Sequence, residues 1–443
     1  MAAAGSAVGL GNIWRFPYLA GQNGGAAFLL IYLAFILLIC FPVLVGEIAI
    51  GRHAGLDAYG SYKKIGGKKW GLLGLFGIIS VALILSFYNV VAGWAFGYFL
   101  EIAFGDLLRQ SDFGTFFGNY IQDIGSSFWF SLGFMVITAF IVTRGIQHGI
   151  EMANKIMMPL LYIILLGMIV YGITLPNAMS GIRFYLVPEL GEIRIQTIFD
   201  ALRQAFFSLS LGMGALITYG SYVKKDQNVV SSAAIISVAD TMVAFLAGLM
   251  IFPLVFSVGM QPAEGPPLVF VILPKIFQDM HPFFGRFIGA SFFLMLCFAA
   301  LTSTISMLEV PTAYLVDQKK LPRKKVVWIL ALVIFIMGIP SMVSQGSPGF
   351  EFLNKLGFYQ QKDFMTFISD LADISLTVGG CLMCIFISRR WKISQMHEEL
   401  SIGNEHYRHS FLRSYISFAI GYLCPIILGV LSVLIILDKF VGL

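Results

Sequence analysis

Long apolar runs alternate with short polar ones along nearly the whole chain, and most of the runs are too long for strands. A helix needs roughly 20 predominantly apolar residues to cross a bilayer core. Runs of that kind lie near residues 1–22, 26–51, 71–103, 126–143, 152–175, 198–222, 229–258, 284–316, 325–345, 363–388 and 411–440, which predicts about eleven membrane-crossing helices. Two of them are punctuated by glycine: Gly5-Ser-Ala-Val-Gly-Leu-Gly-Asn12 in the first, and Ser208-Leu-Ser-Leu-Gly-Met-Gly214 in the sixth. Glycine weakens a helix interior by roughly 1 kcal/mol relative to alanine, and a carbonyl freed in hydrocarbon needs another partner. A bound ion or substrate at mid-membrane supplies one, as in transporters built with broken helices.

The broken segments fall in spans one and six, which divides spans one to ten into two sets of five. Five is odd, so the second set must cross the membrane in the opposite sense. The pattern predicts an all-α integral membrane protein with a 5+5 inverted repeat and unwound helices 1 and 6. As one transporter domain over residues 1–443, it would hold repeat one at about 1–175, repeat two at about 196–390 and an additional helix at about 411–440.

Composition agrees with the class. Hydrophobic residues make up 58% of the chain and charged residues 12%, against about 25% charged in soluble domains. The net charge of +5 has a topological reading. Lys63, Lys64, Lys68 and Lys69 follow span two, Lys224 and Lys225 follow span six, Lys319, Lys320, Arg323, Lys324 and Lys325 follow span eight, and Arg389, Arg390 and Lys392 follow span ten. These loops share one side, which the positive-inside rule makes cytoplasmic together with the N-terminus. Nucleic-acid binding is then an unneeded explanation of the charge. The longer connections around 105–125, 176–197, 259–283 and 346–362 fall on the other side. No basic segment precedes Gly5, so the start does not read as a signal peptide. Only about seven residues precede the first break, roughly 10 Å of helix. The expectation is a short first half-helix or a natural start further upstream.

Polar residues inside apolar runs carry the chemistry. Glu47, Asp240 and Glu309 need a cation, a donor or a proton, because a charge at a helix centre costs at least about 2.5 kcal/mol. Helix-to-helix hydrogen bonding explains Glu47 and Glu309 as well as function does, whereas Asp240 follows the second broken helix and can face its cavity. Thr302-Ser303-Thr304 on span eight reads either as small-residue packing or as hydroxyl ligands for a hard cation. Cys381 and Cys384 lie in an apolar run and read as packing residues; His397, His406 and His409 lie in a polar linker without ligand spacing. No nucleophile and base pair can be named, so an enzyme is not expected.

The segments GSAVGLGNIWRFPYLAGQNGGAAF, SLSLGMGALITYGSYVKKDQ and ALTSTISM closely resemble the neurotransmitter:sodium symporter family, in particular its bacterial amino-acid transporters. The likeness runs from residue 1 through span eleven, where many members have twelve spans. It implies two Na+ sites. The first would use Ala7, Asn12, Ser208 and Asp240 with the substrate carboxylate; the second would use carbonyls of Gly5, Val8 and Ala299 with the hydroxyls of Thr302 and Ser303. Asp240 stands where chloride-requiring relatives carry a neutral residue, so no chloride requirement is expected. Gly9 stands where monoamine transporters carry an aspartate, so the ligand must bring its own carboxylate.

An amino-acid carboxylate would then meet the amides of Leu10 and Gly11 and the Tyr88 hydroxyl, and its ammonium Ala7, Phe207, Ser208 and Ser210. Ile84, Tyr88, Phe207, Met213, Ser303 and Met307 would line a pocket for a hydrophobic or aromatic side chain. Arg15 would form an outer gate with an acid on span ten, taken as Asp370, with Asp363 and Asp373 fitting nearly as well. Tyr222 and Asp317 match an inner gate whose arginine the resemblance puts before the first helix. The expectation is a sodium-coupled, multi-pass symporter of a bacterial inner membrane, with no obligatory protein partner. A non-transporting sodium and amino-acid sensor, or an inactive truncated transporter, remains the alternative.

Overall fold

The computed structural model describes residues 7–260, 268–346 and 363–437. Among the described residues, nine uninterrupted helices are long and apolar enough to cross a membrane: Ala26–Ala54, Lys68–Ala103, Ile124–Thr143, His148–Ile173, Val229–Ser257, Pro282–Lys319, Arg323–Gln345, Phe364–Trp391 and Phe411–Ile436. They are spans two to five and seven to eleven. Span one runs through a wide turn at Gly11–Arg15 into a helix at Phe16–Gln22. Span six is two helices, Ile195–Ser208 and Ala215–Gly220. The nine and the two interrupted spans match the expected eleven, and no strand occurs among the described residues.

Several spans outrun the expected limits. Span eight has 38 residues, about 57 Å at 1.5 Å per residue, against a core of about 30 Å. Its ends stand clear of hydrocarbon and reach the loops. Those loops are themselves helical: Phe113–Gln122, Ala178–Leu186 and Leu273–Asp279 occupy three of the four longer connections. The expected connection at 346–362 lies almost wholly outside the described residues.

Leu37, Ile163, Val170 and Ile235 are each about two-thirds exposed, whereas Asn12, Gln204, Asp240 and Glu309 are fully buried. That arrangement suits a protein whose outer solvent is lipid and whose polar groups satisfy one another inside. The basic loops share a face: the Arg390 side chain donates to the Gly66 carbonyl (3.2 Å), the Lys225 ammonium to Glu399 (2.8 Å), and Arg323 Nε to the Val142 carbonyl (3.1 Å).

Candidate functional site

The two breaks meet in the middle of the bundle. In span one the helix lapses at Val8 and Gly9. Side chains take over the backbone bonds it gives up: the Gly9 N–H donates to Asn12 Oδ1 (2.9 Å), and Gln204 Nε2 of span six donates to the Gly11 carbonyl (2.8 Å). Span six departs from the helix between Ser208 and Ala215, with Ser210, Gly212 and Gly214 at φ of 56°, 81° and 75°, all left-handed. The freed Gly212 N–H donates to Glu47 Oε1 of span two at 2.7 Å. Glu47 therefore clamps the break.

Between the breaks lies a narrow cavity lined by Ala7, Gly9, Gly11, Asn12, Ile84, Tyr88, Phe207, Ser208, Ser210, Met213, Ser303, Met307 and Leu376. None of these side chains is charged. Of the expected pocket residues, Leu10 stands apart. It borders the vestibule, and its N–H donates to the Tyr88 hydroxyl at 2.8 Å, so in this geometry that amide already has an acceptor. Gly9 has no room for a side chain, because a Cβ there would sit 2.1 Å from Ser303 Oγ and 2.9 Å from the Tyr88 hydroxyl.

Two oxygen-rich groupings flank the cavity. Ser208 donates to Asp240 Oδ1 at 2.7 Å, and Asn12 Nδ2 donates to Ser208 Oγ (2.9 Å) and Asp240 Oδ1 (2.7 Å). The Tyr32 hydroxyl reaches Asp240 Oδ2 at 3.3 Å. Three residues from spans one, two and six thus converge on a single buried carboxylate of span seven. In the second grouping the Thr302 hydroxyl lies 2.7 Å from the Val8 carbonyl and 2.9 Å from that of Ala299. Gly5 lies outside the described residues. The second grouping is an oxygen-only set of the kind that suits a hard cation; in the first, Asn12 turns its Nδ2 toward Ser208 and Asp240.

On one side the cavity ends at Phe207, over whose ring the Arg15 guanidinium lies 4.5 Å from the centroid. Arg15 pairs with Asp373 through two bonds of 2.6 and 3.1 Å, which corrects the choice of Asp370. Three residues advance a helix by about 4.5 Å and 300°, so Asp370 lies near the same face one turn away and borders the vestibule instead. Asp363 caps the start of span ten, accepting from the Thr366 N–H at 2.9 Å. Beyond Arg15 the vestibule opens to about 1940 Å³, its mouth included.

The basic side is closed differently. Tyr219 donates to Ser306 Oγ (3.0 Å), and Tyr222 donates to Glu309 Oε1 (3.2 Å). Glu309 is also held by both terminal nitrogens of Arg323, which in turn bonds the Val142 carbonyl. Of the two residues expected at an inner gate, Tyr222 meets Glu309, and no ion pair among the described residues includes Asp317. Arg323 escaped notice because it reads as one more loop cation. The signal was Glu309, an intramembrane carboxylate fourteen residues earlier on the helix leading into that loop. Leu376 was missed for lack of any motif on span ten.

Nearer the end of that face, Glu399 on the short helix Ile393–Ser401 accepts from Arg52 Nε at 2.7 Å and Lys225 at 2.8 Å, and contacts His53 at 3.1 Å. Burial opposes its charge, but Lys225, His53 and Arg52 together hold the carboxyl below its ordinary range. His397 bonds Tyr407 (2.8 Å) and Ser417 (2.6 Å). Burial first, and Arg413 second, lower its imidazole to about 4.

The chain matches the Sodium:neurotransmitter symporter family over residues 1–111 and again over 107–439. The uncharacterized sodium-dependent transporter YhdH of Bacillus subtilis (strain 168) is 39% identical over 441 residues, 98% of this chain and 96% of its own length. The sodium-dependent serotonin transporter of Drosophila melanogaster is 29% identical over 407 residues, 81% of this chain and 65% of its own. The crystal structure of MhsT in complex with L-phenylalanine superposes with a TM-score of 0.88 at 40% identity, covering 98% of this chain and 96% of that one. The chain belongs to the sodium:neurotransmitter symporter family and is a sodium-dependent, multi-pass membrane symporter.

Proposed function

We propose that this symporter carries hydrophobic or aromatic L-amino acids with Na+ and without chloride. The observation that carries the reading is a pocket with no charged side chain. A zwitterion brings both charges itself, and broken-helix ends offer amides to its carboxylate and carbonyls to its ammonium. Gly9 leaves no space for an acidic side chain to meet an amine, and the remaining wall of Ile84, Phe207, Met213, Met307 and Leu376 is apolar and adaptable. The likeness to MhsT, solved with L-phenylalanine, supports the same class.

Asn12, Ser208 and Asp240, with the Ala7 carbonyl, hold the first Na+. For this the Asn12 amide presents its oxygen, a rotation about its last torsion that gives up the bond from the Gly9 N–H. Gly5, Val8, Ala299, Thr302 and Ser303 hold the second. The Asp240 carboxylate supplies the negative charge that chloride would otherwise bring. The Arg15–Asp373 pair over Phe207 gates one side, and the Tyr222–Glu309–Arg323 network gates the other, the basic face, which we assign to the cytoplasm of a bacterial inner membrane. The two five-span repeats rock about the site.

Uptake of radiolabelled leucine, tyrosine and tryptophan into proteoliposomes tests this, with an inward Na+ gradient against K+ and with chloride present or replaced. The expected result is Na+-dependent accumulation unaffected by chloride in the wild type, with Asp240→Asn weakened in Na+ affinity or newly chloride-dependent. Asp240→Asn transport unchanged in both respects would falsify the role given to Asp240.

A further inference from the structure

Spans one, three, six and eight supply the pocket residues that the sequence leads one to expect. Span ten is also there, in two ways. Leu376 lines the cavity with its side chain. Behind it, the backbone of span ten is pressed against the broken segment of span six: a Cβ on Gly379 would lie 2.0 Å from the Gly212 carbonyl oxygen, and a Cβ on Gly212 would lie 2.0 Å from the Leu376 carbonyl oxygen and 2.9 Å from the Gly380 nitrogen. Real Cβ atoms do not approach backbone so closely, so the glycines at both positions make this contact possible.

Gly212 cannot move alone. Its N–H is held by Glu47 at 2.7 Å on the span-two side, and the next residue, Met213, is a pocket wall. Anything that alters the contact with Gly379 therefore shifts Met213 and changes the room left for a ligand. Packed interiors respond to changes as small as a methyl group.

We propose that span ten is a size-selecting wall of the substrate pocket, acting directly through Leu376 and indirectly through the space that Gly379 leaves for Gly212. The proposal rests on the amino-acid reading above and names what sets its upper size limit. Leu376→Ala enlarges the wall, Leu376→Phe fills it, and Gly379→Ala pushes Gly212 and Met213 away from span ten into the pocket.

The test is equilibrium binding of radiolabelled tryptophan and leucine to purified wild type and the three variants in saturating Na+, read as the ratio of the two affinities. A ratio within one preparation does not depend on the fraction of protein that is folded. The expected tryptophan-to-leucine ratio rises about tenfold in Leu376→Ala and falls by a similar factor in Leu376→Phe and Gly379→Ala. If Gly379→Ala cannot be purified, the two Leu376 variants decide. Ratios that stay within about twofold of wild type, a difference below 0.5 kcal/mol, overturn the proposal and leave the amino-acid reading standing. A wild type that binds neither amino acid overturns that reading and the proposal with it.

Discussion

The two closures of the pocket are built to different depths. Toward the vestibule one layer separates ligand from solvent: the Phe207 ring with Arg15 laid over it and tied to Asp373. Toward the basic face stand the Tyr219–Ser306 bond, then the Tyr222–Glu309–Arg323 network with its tie to Val142, then the Glu399 cluster. Each closure holds a buried carboxylate, Asp373 at 3% and Glu309 at 0% exposure, against a cation 17% and 24% exposed. They differ in the number of bonded layers and not in the burial of the ion pair. The contrast teaches which side yields first: in this conformation the path to the vestibule is the short one.

Three experiments can break or sharpen that contrast. The largest effect is expected from Arg323→Ala, which leaves the buried Glu309 carboxylate without its cation and held by Tyr222 alone; loss of one partner from a buried pair costs about 3–5 kcal/mol. The thermal midpoint should fall, and reagents entering from the basic face should label a cysteine placed at Ser306 faster. Adding Glu309→Gln should recover much of the loss, because it removes the stranded charge. A single Arg323→Ala variant as stable and as tightly sealed as wild type would show that the thick closure does not depend on this pair.

Asp373→Asn should act more modestly, since the asparagine still accepts a hydrogen bond from Arg15, which keeps its place over Phe207. The loss is the charged part of that bond, about 1 kcal/mol, so bound amino acid should leave toward the vestibule about fivefold faster in a filter-binding chase. Asp370→Asn is the control. Equal acceleration in both variants would undo the assignment of Asp373 as the partner that matters.

The smallest effect concerns pH. His397 is held near 4 when folded and returns to about 6.5 when unfolded. Between those values the unfolded chain binds more protons, so stability rises with pH across that window and is lost as pH falls through it. Glu399, held below its ordinary range, keeps its contribution above its unfolded value and loses it only in stronger acid. The thermal midpoint should therefore decline gently from pH 6.5 to 4, and His397→Asn should flatten the decline. An unchanged slope in that variant would remove His397 as the cause.

Much of this was legible before any coordinates. Span lengths follow from bilayer thickness, and both breaks from glycine-punctuated runs in corresponding positions of the two halves. The convergence of Asn12, Ser208 and Asp240 was legible only through family resemblance, since nothing in local spacing brings residues so distant together. What stayed hidden depended on rotation and depth. Asp363, Asp370 and Asp373 are chemically alike, and helical phase with depth decides which meets Arg15. Arg323 looked like topology because a loop cation and a buried counter-ion have the same letter. Leu376 and Gly379 gave no pattern at all, because a close approach between two backbones leaves its mark only in three dimensions.

The vestibule has an electrical consequence. Water and ions filling it would carry the potential of that side of the membrane down to Phe207, so nearly all the voltage would fall across the thick closure beneath the pocket. Each elementary charge that crosses it moves through about 2.3 kcal/mol per 100 mV. With the basic face in the cytoplasm, as proposed, ions reaching the pocket from outside would sense little field on arrival. Voltage would act on the step that carries them inward past Tyr222 and Arg323, and this conformation would load its cargo at a rate nearly indifferent to membrane potential.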